Sequence, residues 1–342
     1  MKILVRATNW IGDAVMSLPA LRALREARPD AHIAILARPW VADVYARERF
    51  CDQLLPYSAP KGWQDLPARL RIGRELRSHN FDVAILLPNS FDSAFTPWLA
   101  GIPERIGYAR DWRALMLTRP IERPKAGEIP RHERYYYLEL LLRAGIIDRV
   151  PDSPEIRLDG AAEAAQEGLS KFASLNLGDT VIGVSPGAAY GTAKRWLPER
   201  FAESALLLAE KLDGSVALFG SKDEHALCEE IGSRIAAGGT RVHNFAGQTS
   251  LGQYISLAAA CRAYLTNDSG AMHIASALGV PTVAVFGATD HVGTGPTGAN
   301  AAIVREQVEC SPCLKRECPI DHRCMTRVSA ARVAETALTL LK

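Results

Sequence analysis

Residues 1–28 read MKILVRATNWIGDAVMSLPALRALREAR, and their order sets the fold class. The short apolar run Lys2–Arg6 is cut at once by Asn9, Gly12 and Asp13. Apolar residues then recur at helical spacing (Val15, Leu18, Leu21, Leu24), so the pattern predicts a helix over Ala14–Arg28. Strand, tight turn and helix in 28 residues is the opening of a β-α-β unit. His32–Ala37 and Asp82–Leu87 are further short apolar runs bounded by turn residues. None alternates with polar residues, which points to strands covered on both faces and hence to a parallel sheet.

The middle of the chain breaks this rhythm. Gly101, Pro103, Gly107, Pro120, Pro124, Gly127 and Pro130 make 101–134 loop-rich, a helix follows from about Arg134 to Ala144, and Val150–Pro154 starts a linker. The alternation then restarts with a helix over Ala161–Leu175. Strands are expected at Val181–Ser185, Val216–Phe219, Ala263–Thr266 and Thr282–Phe286. Helices are expected between them at Pro198–Leu212, Lys222–Ala236, Leu251–Ala260 and Ala271–Leu278. The expectation is an α/β protein of two doubly wound, Rossmann-like domains facing across a cleft. Their bounds are 1–160 and 161–328, and 329–342 forms an amphipathic C-terminal helix able to pack back on the first domain. Ligands in such sheets bind beyond the carboxyl ends of the strands.

Composition excludes several classes. Apolar residues make up 48% and charged residues 23% of 342, a globular balance with a large core. Net charge is +2, which gives no reason to expect nucleic acid. The halves differ, however: residues 1–160 carry 24 Lys+Arg against 20 Asp+Glu, and 161–342 carry 16 against 18. A mildly basic first half suits an anionic partner. The N-terminal apolar run is too short for a signal peptide, and no stretch approaches a membrane span, so a cytoplasmic location is expected. Seven cysteines are an odd count in a chain that is not small, a poor disulfide framework. Cys51, Cys228 and Cys261 read as scattered core residues. Cys310, Cys313, Cys318 and Cys324 cluster with His322. Their first pair has zinc-knuckle spacing, but the second is wider than a zinc ribbon's, so free thiols or a disulfide stand beside a structural metal.

Four stretches at strand ends carry polar chemistry. In Asn9-Trp10-Ile11-Gly12-Asp13, the Asp13 carboxylate either caps the first helix or serves as a general base. The turn lacks G-x-G-x-x-G and the second strand ends at Arg38, which argues against a dinucleotide fingerprint. Ser185–Trp196 (SPGAAYGTAKRW) offers small residues whose amides can approach a phosphate, with Lys194 as a point charge; a surface turn is its plain alternative. Glu224, just past the strand end Phe219-Gly220, either accepts from ribose hydroxyls or complements a helix dipole. In Thr266–His273 (TNDSGAMH), Ser269 and Gly270 open a helix whose free amides suit a diphosphate. Asp268 and His273 flank them.

These runs, taken together, resemble glycosyltransferase family nine. The W-I-G-D turn, the P-G-A-x-x-G-x-A-K-R-W run and the D-S-G-x-x-H run stand in that family's order, and the likeness spans essentially the whole chain. Leu87–Phe91 (LPNSF), Ala100–Pro103 (AGIP) and Arg105–Gly107 (RIG) resemble the branch that adds the second heptose of the lipopolysaccharide core. Ala189 and Tyr190 replace a hydroxyl pair of the first-heptose branch. The resemblance implies a GT-B fold with the acceptor on the first domain and ADP-heptose on the second. It makes Asp13 the base and gives Lys194, Ser269 and Gly270 the leaving diphosphate. Glu224 then meets the nucleoside, and Asp268 and His273 the heptose and diphosphate region. The transfer is inverting. No D-x-D occurs, so neither metal nor other cofactor is expected.

The implied acceptor is the anionic, lipid-anchored core sugar, heptosyl-Kdo2-lipid A. Residues 105–134 hold eight basic side chains against four acids. Arg110 and Arg113 are therefore expected to dock the acceptor, with peripheral contact to the inner membrane surface. Other GT-B sugar-nucleotide enzymes, including a first-heptose transferase, and a non-catalytic carbohydrate-binding relative remain as alternatives.

Overall fold

The computed structural model describes residues 1–58 and 66–342. The chain divides into two units, Met1–Glu155 and Ile156–Lys342.

The first unit holds β1 (Lys2–Arg6), β2 (His32–Ala37), β3 (Gln53–Pro56), β4 (Val83–Leu86), β5 (Glu104–Tyr108) and β6 (Arg119–Ile121). They form one parallel sheet in the order β3-β2-β1-β4-β5-β6. Central strands are buried on both faces, with Val5 set between Ile35 and Ile85 in register. The expected single helix over 14–28 is instead two, Ile11–Met16 and Leu18–Ala27, with a break at Ser17. Pro19 causes it: without an N–H it cannot continue the i→i−4 ladder. The Ser17 hydroxyl donates to Ala14 O at 2.7 Å across the break. The 101–134 segment is less irregular than expected, since it contributes β5, β6 and a 3-10 turn over Asp111–Met116.

The second unit repeats the plan. Its strands are β7 (Val181–Ser185), β8 (Ser215–Leu218), β9 (Val242–Asn244), β10 (Ala263–Asn267), β11 (Thr282–Phe286) and β12 (Ala301–Arg305), again all parallel, in the order β12-β11-β10-β7-β8-β9. Counted within each unit, both sheets share one topology. Chain direction across the sheet reverses between β1 and β4, and again between β7 and β10. Such switch points open a crevice for ligands at the strands' carboxyl ends.

The ends of the second unit differ from expectation. Ile156 and Leu158 are buried, and Leu158 N–H donates to Ala277 O at 2.8 Å, so the unit begins before residue 161. The helix Ala330–Leu340, expected to be able to pack back on the first domain, buries its apolar face within its own unit. Val333, Ala334 and Ala337 enter the second unit's own core beside Phe201, Ala205 and Val285. Among the described residues, no helix is long and apolar enough to cross a membrane.

Candidate functional site

Polar side chains of the second unit gather where β7, β8 and β10 end. Asn267, the last residue of β10, is fully buried and ties the loops together. Its carbonyl oxygen accepts from Trp196 N–H at 2.9 Å, and its amide donates to Pro186 O at 2.7 Å. The 186–196 loop is thereby clamped over the β7–β10 switch point. On that loop the Lys194 Nζ lies 2.6 Å from Asp268 Oδ2, with their side chains 14% and 4% exposed. Thr289 Oγ1 donates to the same carboxylate oxygen, and the ring of Tyr190 lies 4.9 Å from the ammonium.

The expected diphosphate site is built as a helix start. Ser269, extended, is the N-cap of Gly270–Ala277, and its side chain makes no capping bond. The first amides of that helix have no intrahelical acceptor. His273 is buried in the same helix. Glu224 closes a capping box, with one carboxylate oxygen accepting from Ser221 N–H at 2.8 Å. Its other side presses on the 186–196 loop. A Cβ built at Gly187 would lie 1.9 Å from Glu224 Oε1, so a larger residue there would push the carboxylate aside. Lys194, Asp268, Ser269, Gly270 and Glu224 therefore converge at one end of one sheet. Asn267, Thr289 and Gly187 join them. Sequence reasoning did not single these three out, although two lie in the runs it quoted.

A loop of four cysteines backs this site. Cys310, Cys313, Cys318 and Cys324 line one cavity with His322. All seven cysteines are free thiols, and among the described residues no three His, Cys, Asp or Glu are placed to hold a metal ion. Burial, then the nearby thiols of Cys310, Cys318 and Cys313, push the Cys324 thiol up to about 11. The loop braces the lysine's backbone: Ala193 N–H donates to Arg316 O at 3.0 Å and Tyr190 OH to Leu314 O at 2.7 Å. At Gly191, φ is +159° and a Cβ would lie 2.2 Å from Arg316 O.

In the first unit Asp13 is the third residue of Ile11–Met16. Trp10, extended and 65% exposed, is the N-cap, so Asp13 is a first-turn acid and not the cap itself. The preceding turn is held by buried Arg6, which donates to Asn9 Oδ1 at 2.8 Å, and by Trp40 Nε1, which donates to Asn9 O at 3.0 Å. Glu133, at the start of helix Arg134–Arg143, is pushed up to about 7 by burial and then by the negative charge of Asp13. Burial and the charge of Asp13 also hold the Tyr137 hydroxyl above its ordinary range.

Arg113 is not an acceptor-docking side chain. It is fully buried. Its guanidinium donates to Tyr108 O at 2.9 Å, to Ser93 Oγ at 3.1 Å, to Asn89 Oδ1 at 3.5 Å and to Pro88 O. Gly107 makes room for it, since a Cβ there would lie 2.8 Å from Arg113 Nη2. Arg110 is exposed.

Two parallel, doubly wound six-stranded sheets, the second ending in a lysine, an acid and an open helix start, define a GT-B glycosyltransferase scaffold. The chain matches the family model "Glycosyltransferase family 9 (heptosyltransferase)" over residues 69–323, and it belongs to that family. It is 35% identical over 313 residues to lipopolysaccharide heptosyltransferase 2 of Escherichia coli, covering 89% of this chain and 88% of that one. A Campylobacter jejuni lipooligosaccharide heptosyltransferase 2 is 28% identical, over 100% of this chain and 99% of the relative. The solved structure of E. coli ADP-heptose lps heptosyltransferase II superposes with a TM-score of 0.83 at 31% identity, over 100% of this chain and 98% of that one. The protein is therefore a glycosyltransferase of the heptosyltransferase family.

Proposed function

We propose that this enzyme transfers L-glycero-D-manno-heptose from ADP-heptose to the first heptose of heptosyl-Kdo2-lipid A, with inversion, at the cytoplasmic face of the inner membrane. The observation that carries the reading is the set at the β7–β10 switch point, in a chain so similar to heptosyltransferases 2. Lys194 and the open helix start at Ser269-Gly270 suit a diphosphate. Glu224, just past β8, is assigned to the nucleoside.

In this reading Asp13 takes the proton of the acceptor hydroxyl as the oxygen attacks the anomeric carbon. The bond to the diphosphate oxygen breaks on the opposite face, and the electron pair leaves with ADP. Lys194 and the helix amides stabilise that growing charge. Asp268 acts chiefly by holding Lys194, and His273 by shaping the buried base of the helix. Arg110 meets the anionic acceptor, and no metal or other cofactor is required.

The test is incubation with ADP-heptose and heptosyl-Kdo2-lipid A, with and without EDTA, followed by product mass. One added heptose in both samples is expected. Product only from UDP- or GDP-sugars would replace the donor assignment. Product only on Kdo2-lipid A would make this the first-heptose enzyme, and strict dependence on Mg²⁺ would remove the metal-free mechanism.

A further inference from the structure

Trp112 and Leu115 are 80% and 81% exposed on the 3-10 turn Asp111–Met116. In a 3-10 turn, residues three apart lie one above the other. The neighbouring face of this turn points inward: Arg113 is fully buried, and Met116 joins Leu117 in the core with Ala94, Ala100 and Ile102. That register throws Trp112 and Leu115 outward together, and the bonds from Arg113 to Pro88, Ser93 and Tyr108 pin it. The turn packs on helix Phe91–Leu99. That helix carries a ladder of rings, Phe91 on Phe95 at 5.9 Å and Phe95 on Trp98 at 5.8 Å, with Phe91 and Trp98 partly open to solvent. Single exposed apolar residues are ordinary, but a pair presented by a pinned backbone beside an aromatic ladder is a surface built for contact.

The rim of this surface is basic. Arg110, which precedes the turn, is exposed, and Ala109 N–H donates to Ile121 O at 2.7 Å, bringing the exposed Arg123 and Lys125 alongside. Ala109, Glu122, Arg123 and Lys125 line one open recess, two basic side chains to one acid. We propose that this face docks on an anionic lipid bilayer, with Trp112 and Leu115 entering the interfacial layer and Arg110, Arg123 and Lys125 meeting the headgroups. Tryptophan partitions to that layer, and basic side chains are drawn to an anionic leaflet. A second copy of the chain is the poorer occupant, because a two-fold contact would set basic rim against basic rim. The inference rests on the reading of a lipid-anchored acceptor and names how the enzyme reaches it.

The test uses the full chain and sucrose-loaded vesicles of phosphatidylcholine with phosphatidylglycerol. The parent should co-sediment, and part of its binding should survive high salt, since the apolar contribution is not screened. Trp112→Ser with Leu115→Ser should lower the partition coefficient by about ten-fold or more, because burial of even one large apolar side chain is worth that factor. The variant should keep the parent's unfolding transition and its rate on a deacylated, water-soluble acceptor. Unchanged vesicle binding overturns the proposal. So does a parent dimer that the variant dissociates while vesicle binding persists. Vesicle binding through Trp112 without heptosyl transfer to any acceptor would sink the assigned reaction and leave this inference standing; transfer to soluble acceptor without vesicle binding would do the reverse.

Discussion

The Lys194 ammonium and the Asp268 carboxylate form a nearly buried ion pair 2.6 Å apart, and Thr289 supplies a second contact to the same oxygen. The lysine is thus aimed before any donor arrives. In the proposed reaction its positive charge, partly balanced at rest, is shared with the diphosphate as the leaving group's charge grows. Interactions that strengthen only as the bond breaks act on turnover more than on binding.

Lys194→Ala should therefore lower kcat by about 10²–10³, the scale of losing one preorganised charge-stabilising group, with a smaller loss of ADP affinity. Removing one partner of a buried pair also destabilises, by about 3 kcal/mol or more. Lys194→Ala with Asp268→Ala should recover much of that stability while the rate stays low. Stopped-flow turnover and thermal melts separate the two effects. Parent-like rates in either variant would end the assigned role.

Asp13→Asn should reduce transfer by at least about 10²-fold, the lower range for loss of a general base, with ADP-heptose affinity unchanged. Asp13 is a first-turn acid and not the N-cap, so its dipole contribution is under about 1 kcal/mol. Calorimetric donor titration beside single-turnover kinetics checks this. A variant turning over at near the parent rate would leave Asp13 as an ordinary helix-start acid.

Glu133 adds a pH dependence. Its folded pKa of about 7 lies above the ordinary 4.5, so the folded state binds the proton more tightly than the unfolded chain. Its contribution is fully present below pH 4.5, declines as pH rises through 7 and is then flat. It amounts to at most about 3 kcal/mol at 1.36 kcal/mol per pH unit. Glu133→Gln should remove this decline, and Asp13→Asn should shrink it. Urea midpoints at pH 5, 6, 7 and 8 measure it, and parallel profiles for parent and Glu133→Gln would refute it.

The central strands were legible because burial on both faces leaves nothing but apolar runs: β1, β2, β7 and β11 lie at the residues the runs mark. The edge strands β3, β6 and β9 were not, since they are short, partly exposed and mix polar residues such as Gln53, Arg119 and His243, and β12 (AAIVR), though apolar, opens on two alanines and is mostly half-buried. The residues assigned to the donor were legible as motifs, but their partners in the fold were not. Nothing local says that Glu224 lies on Gly187, 37 positions away, or that Asn267 clamps Trp196 and Pro186. Arg113 was misread because a count of charges carries no information on burial. Four acceptors, three of them near Pro88, make its burial tolerable.

Arg110 and Arg113, three residues apart, should therefore behave oppositely. Arg113→Met removes a buried charge along with its bonds and leaves Tyr108 O and Pro88 O without it. Breaking such a network costs about 3–5 kcal/mol, so the melting temperature should fall sharply. Surviving folded enzyme should bind acceptor less well only to the extent that the 88–93 turn loosens. Arg110→Glu lies at an exposed position, where surface substitutions usually shift stability by about 0.5 kcal/mol or less. It should leave the melt in place and raise the acceptor KM several-fold at low salt, with donor affinity unchanged because the residues proposed for the donor belong to the other unit. The KM difference should shrink as salt rises, since exposed charges are screened beyond about 8 Å at physiological ionic strength. A salt-independent KM for Arg110→Glu would place that arginine outside acceptor recognition. An Arg113→Met protein as stable as the parent would overturn the structural role given to the buried guanidinium.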